Sequence, residues 1–361
     1  MPETFDELPI EHAEFVLPGG HLSHTLSFFT GTLGFRLDSI MPADDPRTAQ
    51  LSGHGIRILL DTHFKGEPGI IRLRTTDDRL RKPMLAPNGT RIEFAPAAPG
   101  IVLPPLQPRL SIHLLEHDEG AWKTGRAGMQ YRDLIPDRQG GQFIASHIRI
   151  PTGGPVADNV HYHDIRVQLI YCYRGWVRLV YEDQGEPFVM RAGDCVLQPP
   201  HIRHRVMESS DGLEVIEIGS PAEHMTHLDH VMPLPTGKQR PTRKFGGQRF
   251  TFHQAAAADW INDAGTGTHI RDLGISAATH GFAGARVVRL AGESSRVIGK
   301  PLQNKTFVFA FVLDGAMHLQ LDQGKTQSLR AGDAFVIPQG MSQSVTDCSV
   351  DWQLLQVFLP G

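Results

Sequence analysis

The chain repeats itself at long range, and that repeat restricts the folds open to it. Arg132-Asp133-Leu134 returns as Arg271-Asp272-Leu273, Phe143 to Arg149 has a counterpart in Phe282 to Val288, and Arg191-Ala192-Gly193-Asp194 returns as Arg330-Ala331-Gly332-Asp333, each pair 139 positions apart. Gly175 and Gly315 match at 140. Several shared features at a nearly constant offset indicate a duplicated domain, and the period exceeds the roughly 20–50 residues of a solenoid unit. Within each copy the helical period is nearly absent. Short β-branched and aromatic runs (Phe143–Ile150, Leu169–Tyr173, Val177–Tyr181, Glu214–Ile218) alternate with Gly, Pro and Asp turns, the pattern of a sandwich or barrel. Two β-barrels are expected, over 109–231 and 248–361. The Pro-, Gly-, Lys- and Arg-rich stretch 232–247 reads as a linker, with Lys238, Arg240, Arg243 and Lys244 as a solvated tether.

A different pattern precedes the repeat. Residues 10–100 read β-α-β-β-β: a strand over Ile10–Leu17, then Leu22, Leu26, Phe29 and Leu33 at helical spacing with Gly34 as a C-cap. Strands follow over Phe35–Ile40, Ala49–Asp61 and Ile70–Arg74, and a last one over Thr90–Phe94 after the turn Pro87-Asn88-Gly89. The Pro-rich run Pro96–Pro108 marks a boundary.

Composition excludes several classes. A net charge of −4 gives no basic field for nucleic acid or an anionic membrane. The three cysteines (Cys172, Cys195, Cys348) form neither a zinc ribbon nor a disulfide framework. The acidic N-terminus lacks the regions of a signal peptide, and no apolar run reaches membrane-spanning length. A soluble, cytoplasmic protein is expected. GxGxxG after a strand, a phosphate loop and Gly-x-Ser-x-Gly are all absent.

The chemistry concentrates in one segment. His161 and His163 flank Tyr162, Gln168 follows, and His204 lies beyond Pro199. Side chains two apart on a strand share a face, so the two imidazoles can meet at one point, with Gln168 and His204 joining from neighbouring strands. Imidazole suits Zn, Cu, Fe and Ni. Glu214 and Glu217, three apart on an apolar strand, face opposite sides, which argues against a paired-carboxylate site.

These residues carry a family resemblance. His161-x-His163-x4-Gln168-x6-Gly175 and Gly193-x5-Pro199-x4-His204 resemble the two motifs of the cupin superfamily, and residues 109–361 look like a bicupin, similar in broad terms to quercetinase and gentisate dioxygenase. The resemblance implies a mainly β fold: two tandem cupin-type double-stranded β-helix barrels preceded by a small α+β βαβββ module. It implies His161, His163 and His204 as metal ligands, with Gln168 a fourth or a near neighbour, and one divalent ion (Fe, Ni, Zn or Mn) per chain. Two departures stand out: Gln168 where many metal-binding cupins carry Glu, and His201 where the pattern has Gly. His201 is expected beside the ligands or in the pocket rather than on the metal. The second copy loses the ligands, since the matching positions are Pro301, Gln303, Val308 and Gln343. The N-terminal region resembles one module of the vicinal-oxygen-chelate superfamily, the glyoxalase and extradiol dioxygenase group. That resemblance makes His12 and Glu93 the matching metal positions; an interaction module is the alternative expectation.

Three neutral imidazoles and a neutral amide leave the charge of a divalent ion uncompensated, which favours an anionic substrate. The expectation is a metal-dependent dioxygenase acting on a small anionic aromatic or enolisable compound, with Arg166 and Tyr171 as candidates for substrate contact and Gln168 and His201 as further catalytic candidates. A redox-neutral isomerase or lyase using Zn, Mn or Ni is the first alternative, and a non-catalytic binding protein the second. Cupin-like association and the need to shield barrel edges point to a homodimer.

Overall fold

The computed structural model describes residues 10–77, 79, 82–97, 100–117, 122–292, 305–321 and 324–360. Pro301 and Gln303 lie outside them. The chain divides into two compact units, Met1–Gly100 and Ile101–Gly361. Among the described residues, no helix is long and apolar enough to cross a membrane.

In the first unit the βαβββ motif is complete by Asp61. The expected long strand over Ala49–Asp61 is two strands, Thr48–Gly53 and Ile56–Asp61, because His54 and Gly55 turn the chain at φ 52° and 81°. With Phe15–Pro18 and Arg36–Met41 they form a four-stranded sheet in which Phe15–Pro18 runs parallel to Ile56–Asp61. The helix Leu22–Ser27 widens into a π turn over Phe28–Thr32 and stops at Gly34, whose φ of 75° suits a C-cap. Ile70–Thr75, Met84–Leu85 and Arg91–Pro96 make a separate three-stranded sheet, and one core including Leu17, Phe29, Leu60 and Ile92 serves both sheets.

The second unit holds the two barrels. The inner sheet of the first runs, in spatial order, Thr251–His253, Cys195–Leu197, Val167–Arg174, Leu213–Ser220, Ile144–Ile150, Gln130–Asp133, Lys123–Thr124. That of the second runs Ser111–His113, Ala334–Pro338, Lys305–Asp314, Gln353–Pro360, Gly284–Leu290, Thr268–Asp272, Ile261–Asp263. Each sheet is closed on one edge by a strand from the other half: Thr251–His253 pairs with Cys195–Leu197, and Ser111 to His113 with Val336 to Ala334. Those two edges are covered within the chain, so shielding them is no argument for a dimer.

The sequence repeats lie along this junction. Arg132 Nη2 donates to Gly332 O at 3.1 Å, and Arg271 Nη2 donates to Gly193 O at 3.2 Å. Asp194 Oδ1 accepts from Ala255 N and Asp333 Oδ1 from Leu115 N, both at 2.8 Å, each carboxylate thereby holding the exchanged segment. The strand register refines one match: Leu134 N bonds Ala145 O, and Leu273 N bonds Ala285 O, so the strands Ile144–Ile150 and Gly284–Leu290 align at 140 rather than 139. Strand alternation sorts the side chains. Val167, Leu169 and Tyr171 point with Phe307, Phe309 and Phe311 into the core between the barrels, where Phe143 stacks on Phe307 at 4.0 Å.

The stretch 232–247 is not a free tether. Arg243 bonds Glu182 and Asp183 at 2.8 Å each, Arg240 N bonds Asp183 O, and Phe245 is buried in the core of the first barrel. Two of its cations, Arg240 and Arg243, find carboxylate partners on that barrel.

Candidate metal centre

The outer sheet of the first barrel contains the strands His161–His163 and His204–Ser209, with His161 directly opposite His204. Alternation sends His161 and His163 inward and leaves Tyr162 half-buried on the other face. The coordinating atoms of His161, His163 and His204 lie within 4.8 Å of one another. Each imidazole is anchored through Nδ1: His161 to Asn159 O (2.7 Å), His163 to Thr226 Oγ1 (2.8 Å) and His204 to Ile202 O (3.0 Å). These anchors leave the three Nε2 atoms for the common centre, the usual arrangement behind metal-binding histidines.

Burial holds all three imidazoles below their ordinary pKa. His163 is pushed down to about 2 by desolvation and by its histidine neighbours, while burial and Arg126 lower His161. His204 falls well below the usual value through burial and the other two rings. Neutral imidazoles are the form that binds metals.

The histidines line a cavity of about 370 Å³, in the range of small-molecule sites. Its walls are largely apolar, among them Ile148, Ile170, Val206 and Val215, and Gln168, Gln198, Glu217 and His224 add polar groups. Gln168 is buried; its Nε2 donates to Glu217 Oε1 at 2.6 Å, and its Oε1 has no hydrogen-bond partner among the described residues. Gln198 accepts from the Tyr181 hydroxyl, and its buried Nε2 likewise has no partner among the described residues. Among the described residues, Arg126 is the one Lys or Arg lining this cavity. Its guanidinium pairs with buried Asp158 and donates from Nη2 to His161 Nε2 at 3.0 Å.

Other expected residues lie elsewhere. Tyr171 faces the core between the barrels, three positions from Gln168 and therefore on the opposite face of the same strand. Arg166 is exposed, with its guanidinium 4.3 Å from the centre of the Phe282 ring. His201 does not line the cavity: its Nε2 bonds Asp164 at 3.0 Å, beside His227 on the same carboxylate. Its backbone sits at φ 65°, which explains the glycine usual there. In the first unit, Glu93 is paired with Arg72 and Arg91, and His12 is exposed ahead of the first strand. Among the described residues, the three barrel histidines are the group able to hold a metal.

Arg126 and Gln198 carry no motif in the sequence, and Glu217 figures there only as half of an excluded carboxylate pair. Glu214 and Glu217 do diverge, Glu214 toward His147 at 2.6 Å and Glu217 into the cavity. One carboxylate, Glu217, thus stands in the site without a carboxylate partner from its own strand. In the second barrel Met317, Leu319, Phe335 and Trp352 fill the interior, and Val308 and Gln343 occupy ligand positions.

Comparison with protein families finds a cupin domain over residues 146–219 and an EutQ-like cupin domain over 299–357. No curated protein sequence matches the chain. Among solved structures, a salicylate 1,2-dioxygenase from Pseudaminobacter salicylatoxidans aligns with TM-score 0.52 and 13% identity, covering 71% of this chain and 86% of that one. A mutant oxalate decarboxylase from Bacillus subtilis aligns with TM-score 0.50 and 14% identity, covering 80% of this chain and 85% of that one. At such identities the likeness is one of fold.

Proposed function

The chain carries two cupin domains, and we propose that the first holds one divalent metal ion on His161, His163 and His204 and works as a dioxygenase on a small anionic aromatic or enolisable compound. One observation carries the reading: a buried trihistidine group, each ring pinned through Nδ1, in a largely apolar cavity lined by the Arg126 cation. The donor set suits a metal, and the unpaired buried oxygen of Gln168 adds an acceptor that a cation would satisfy. A redox-active ion there supplies dioxygen chemistry, whereas zinc supplies Lewis acidity.

The chain's own residues select and orient the substrate. Arg126 meets the anionic group, exchanging part of its contact with Asp158 and His161 for a planar, charge-assisted pair. Ile148, Ile170, Val206 and Val215 pack the carbon skeleton and exclude water. Gln198, held by Tyr181, offers N–H to a substrate oxygen. Salicylate and oxalate, named for the two fold relatives, are both carboxylates, which supports an anionic substrate.

The test is oxygen uptake. Protein loaded in turn with Fe, Ni, Mn and Zn is offered hydroxybenzoates and β-dicarbonyl compounds. Substrate-dependent uptake that disappears in His161→Ala/His163→Ala is expected. Full-rate turnover without oxygen contradicts the dioxygenase reading and favours an isomerase or lyase.

A further inference from the structure

We propose that Glu217 fixes the side-chain amide of Gln168 and so makes the Gln168 carbonyl oxygen the fourth donor to the metal; this rests on the metal centre proposed above. The two residues sit on adjacent antiparallel strands. Gln168 lies opposite Gly219 and Glu217 lies opposite Ile170, so the pair is diagonal on one face. Gly219 brings no side chain between them. Its conformation is not the reason for the glycine: a Cβ there would meet Ile165 Cδ1 at 2.8 Å.

The chemistry of the contact sets the orientation. An ionised carboxylate only accepts hydrogen bonds, so the amide must turn Nε2 toward Glu217, and the 2.6 Å contact is of that kind. Oε1 is then directed away from Glu217, buried and without a hydrogen-bond partner among the described residues. An unpaired buried acceptor is unfavourable, and a cation at the three Nε2 atoms satisfies it. Without Glu217 the amide is free to flip and present N–H to that cation. Donation to a carboxylate also polarises the amide and strengthens its oxygen as a ligand.

This amends the charge of the site. The carboxylate that many metal-binding cupins place at this position has not vanished; it stands one strand away, bonded to the ligand instead of the metal. The second barrel agrees, for the positions matching Gln168 and Glu217 are Val308 and Gln356, so both members of the pair are lost together with the histidines.

The swap variant is the test. Apparent dissociation constants for Mn(II) are measured by competition with a chelator of known affinity, and circular dichroism checks the fold. Glu217→Gln is expected to weaken binding about tenfold or more, the usual size of a lost outer contact. Gln168→Glu/Glu217→Gln reverses the hydrogen bond, keeps one carboxylate and one amide, and is expected to restore wild-type affinity or exceed it. Unchanged affinity in Glu217→Gln, or a swap no tighter than that single variant, overturns the pairing while leaving the histidine centre in place. If the wild type binds Mn(II) no better than His161→Ala/His163→Ala, the metal centre itself falls and the pairing with it.

Discussion

At the scale of single residues, the orientation of each proton matters as much as the identity of the side chain. Three carbonyl or hydroxyl oxygens hold Nδ1 of His161, His163 and His204, and Arg126 competes for one of the free nitrogens. Arg126→Gln removes the cation and keeps a polar group of similar reach. Its expected effect is a rise in KM of roughly ten- to a hundredfold for an anionic substrate, the size of a lost charge-assisted bond of about 1.5–3 kcal/mol. Metal content measured on the same preparation should not fall. A KM unchanged from wild type would remove Arg126 from substrate recognition. The histidine constellation was legible because strand alternation is a local rule. The same rule, applied to Gln168 and Tyr171, would have excluded Tyr171. Arg126 and Glu217 were not legible: their contacts with His161 and Gln168 depend on how distant strands and turns come together, and sequence spacing does not report that.

At the scale of elements, the repeated Arg-Ala-Gly-Asp segments are a strand-exchange device. Asp194 accepts from Arg191 N and from Ala255 N, and Asp333 does the same with Arg330 N and Leu115 N. Each aspartate is buried, so Asp194→Ala strands two backbone donors. Urea denaturation should show a loss of about 2–4 kcal/mol, taking about 1–3 kcal/mol per unsatisfied buried donor with partial relaxation. Asp333→Ala should cost a similar amount. A loss below the error of the extrapolation at both sites would mean that the exchanged strands are held by side-chain packing alone. The repeat itself was visible in the sequence, and so were most of its strands. That each copy lends its first strand to the other was not visible, because a strand's pattern records its period and says nothing of its neighbour. The docking of Arg243 on Glu182 and Asp183 was hidden for the same reason.

At the scale of the whole molecule, the core between the barrels contains a buried polar network that the second copy lacks. Arg132 Nη2 donates to His147 Nδ1 at 2.8 Å, and His147 Nε2–H donates to Glu214 at 2.6 Å, an arrangement that requires a neutral imidazole. Burial lowers the pKa of His147 against the opposing pull of Glu214. For Glu214, burial raises the carboxyl, but the hydrogen bond from His147 and the nearby charges outweigh it and leave a net lowering. With both folded-state values below the unfolded ones, the unfolded chain binds more protons, so stability falls as pH drops below about 6.5 and falls further below about 4.5. Thermal melts from pH 8 to pH 4 should show that slope, and His147→Gln should reduce its upper part, to which the buried His161, His163 and His204 also contribute. A wild-type melting temperature constant between pH 7 and pH 5 would contradict the neutral assignment. The central claim is a single metal centre in the first of two cupin domains. Its most direct test is elemental analysis of the purified protein beside the His161→Ala/His163→Ala variant. About one equivalent of a divalent transition metal per wild-type chain, and none in the variant, is the predicted result; equal metal in both, or none in either after reconstitution, would contradict it.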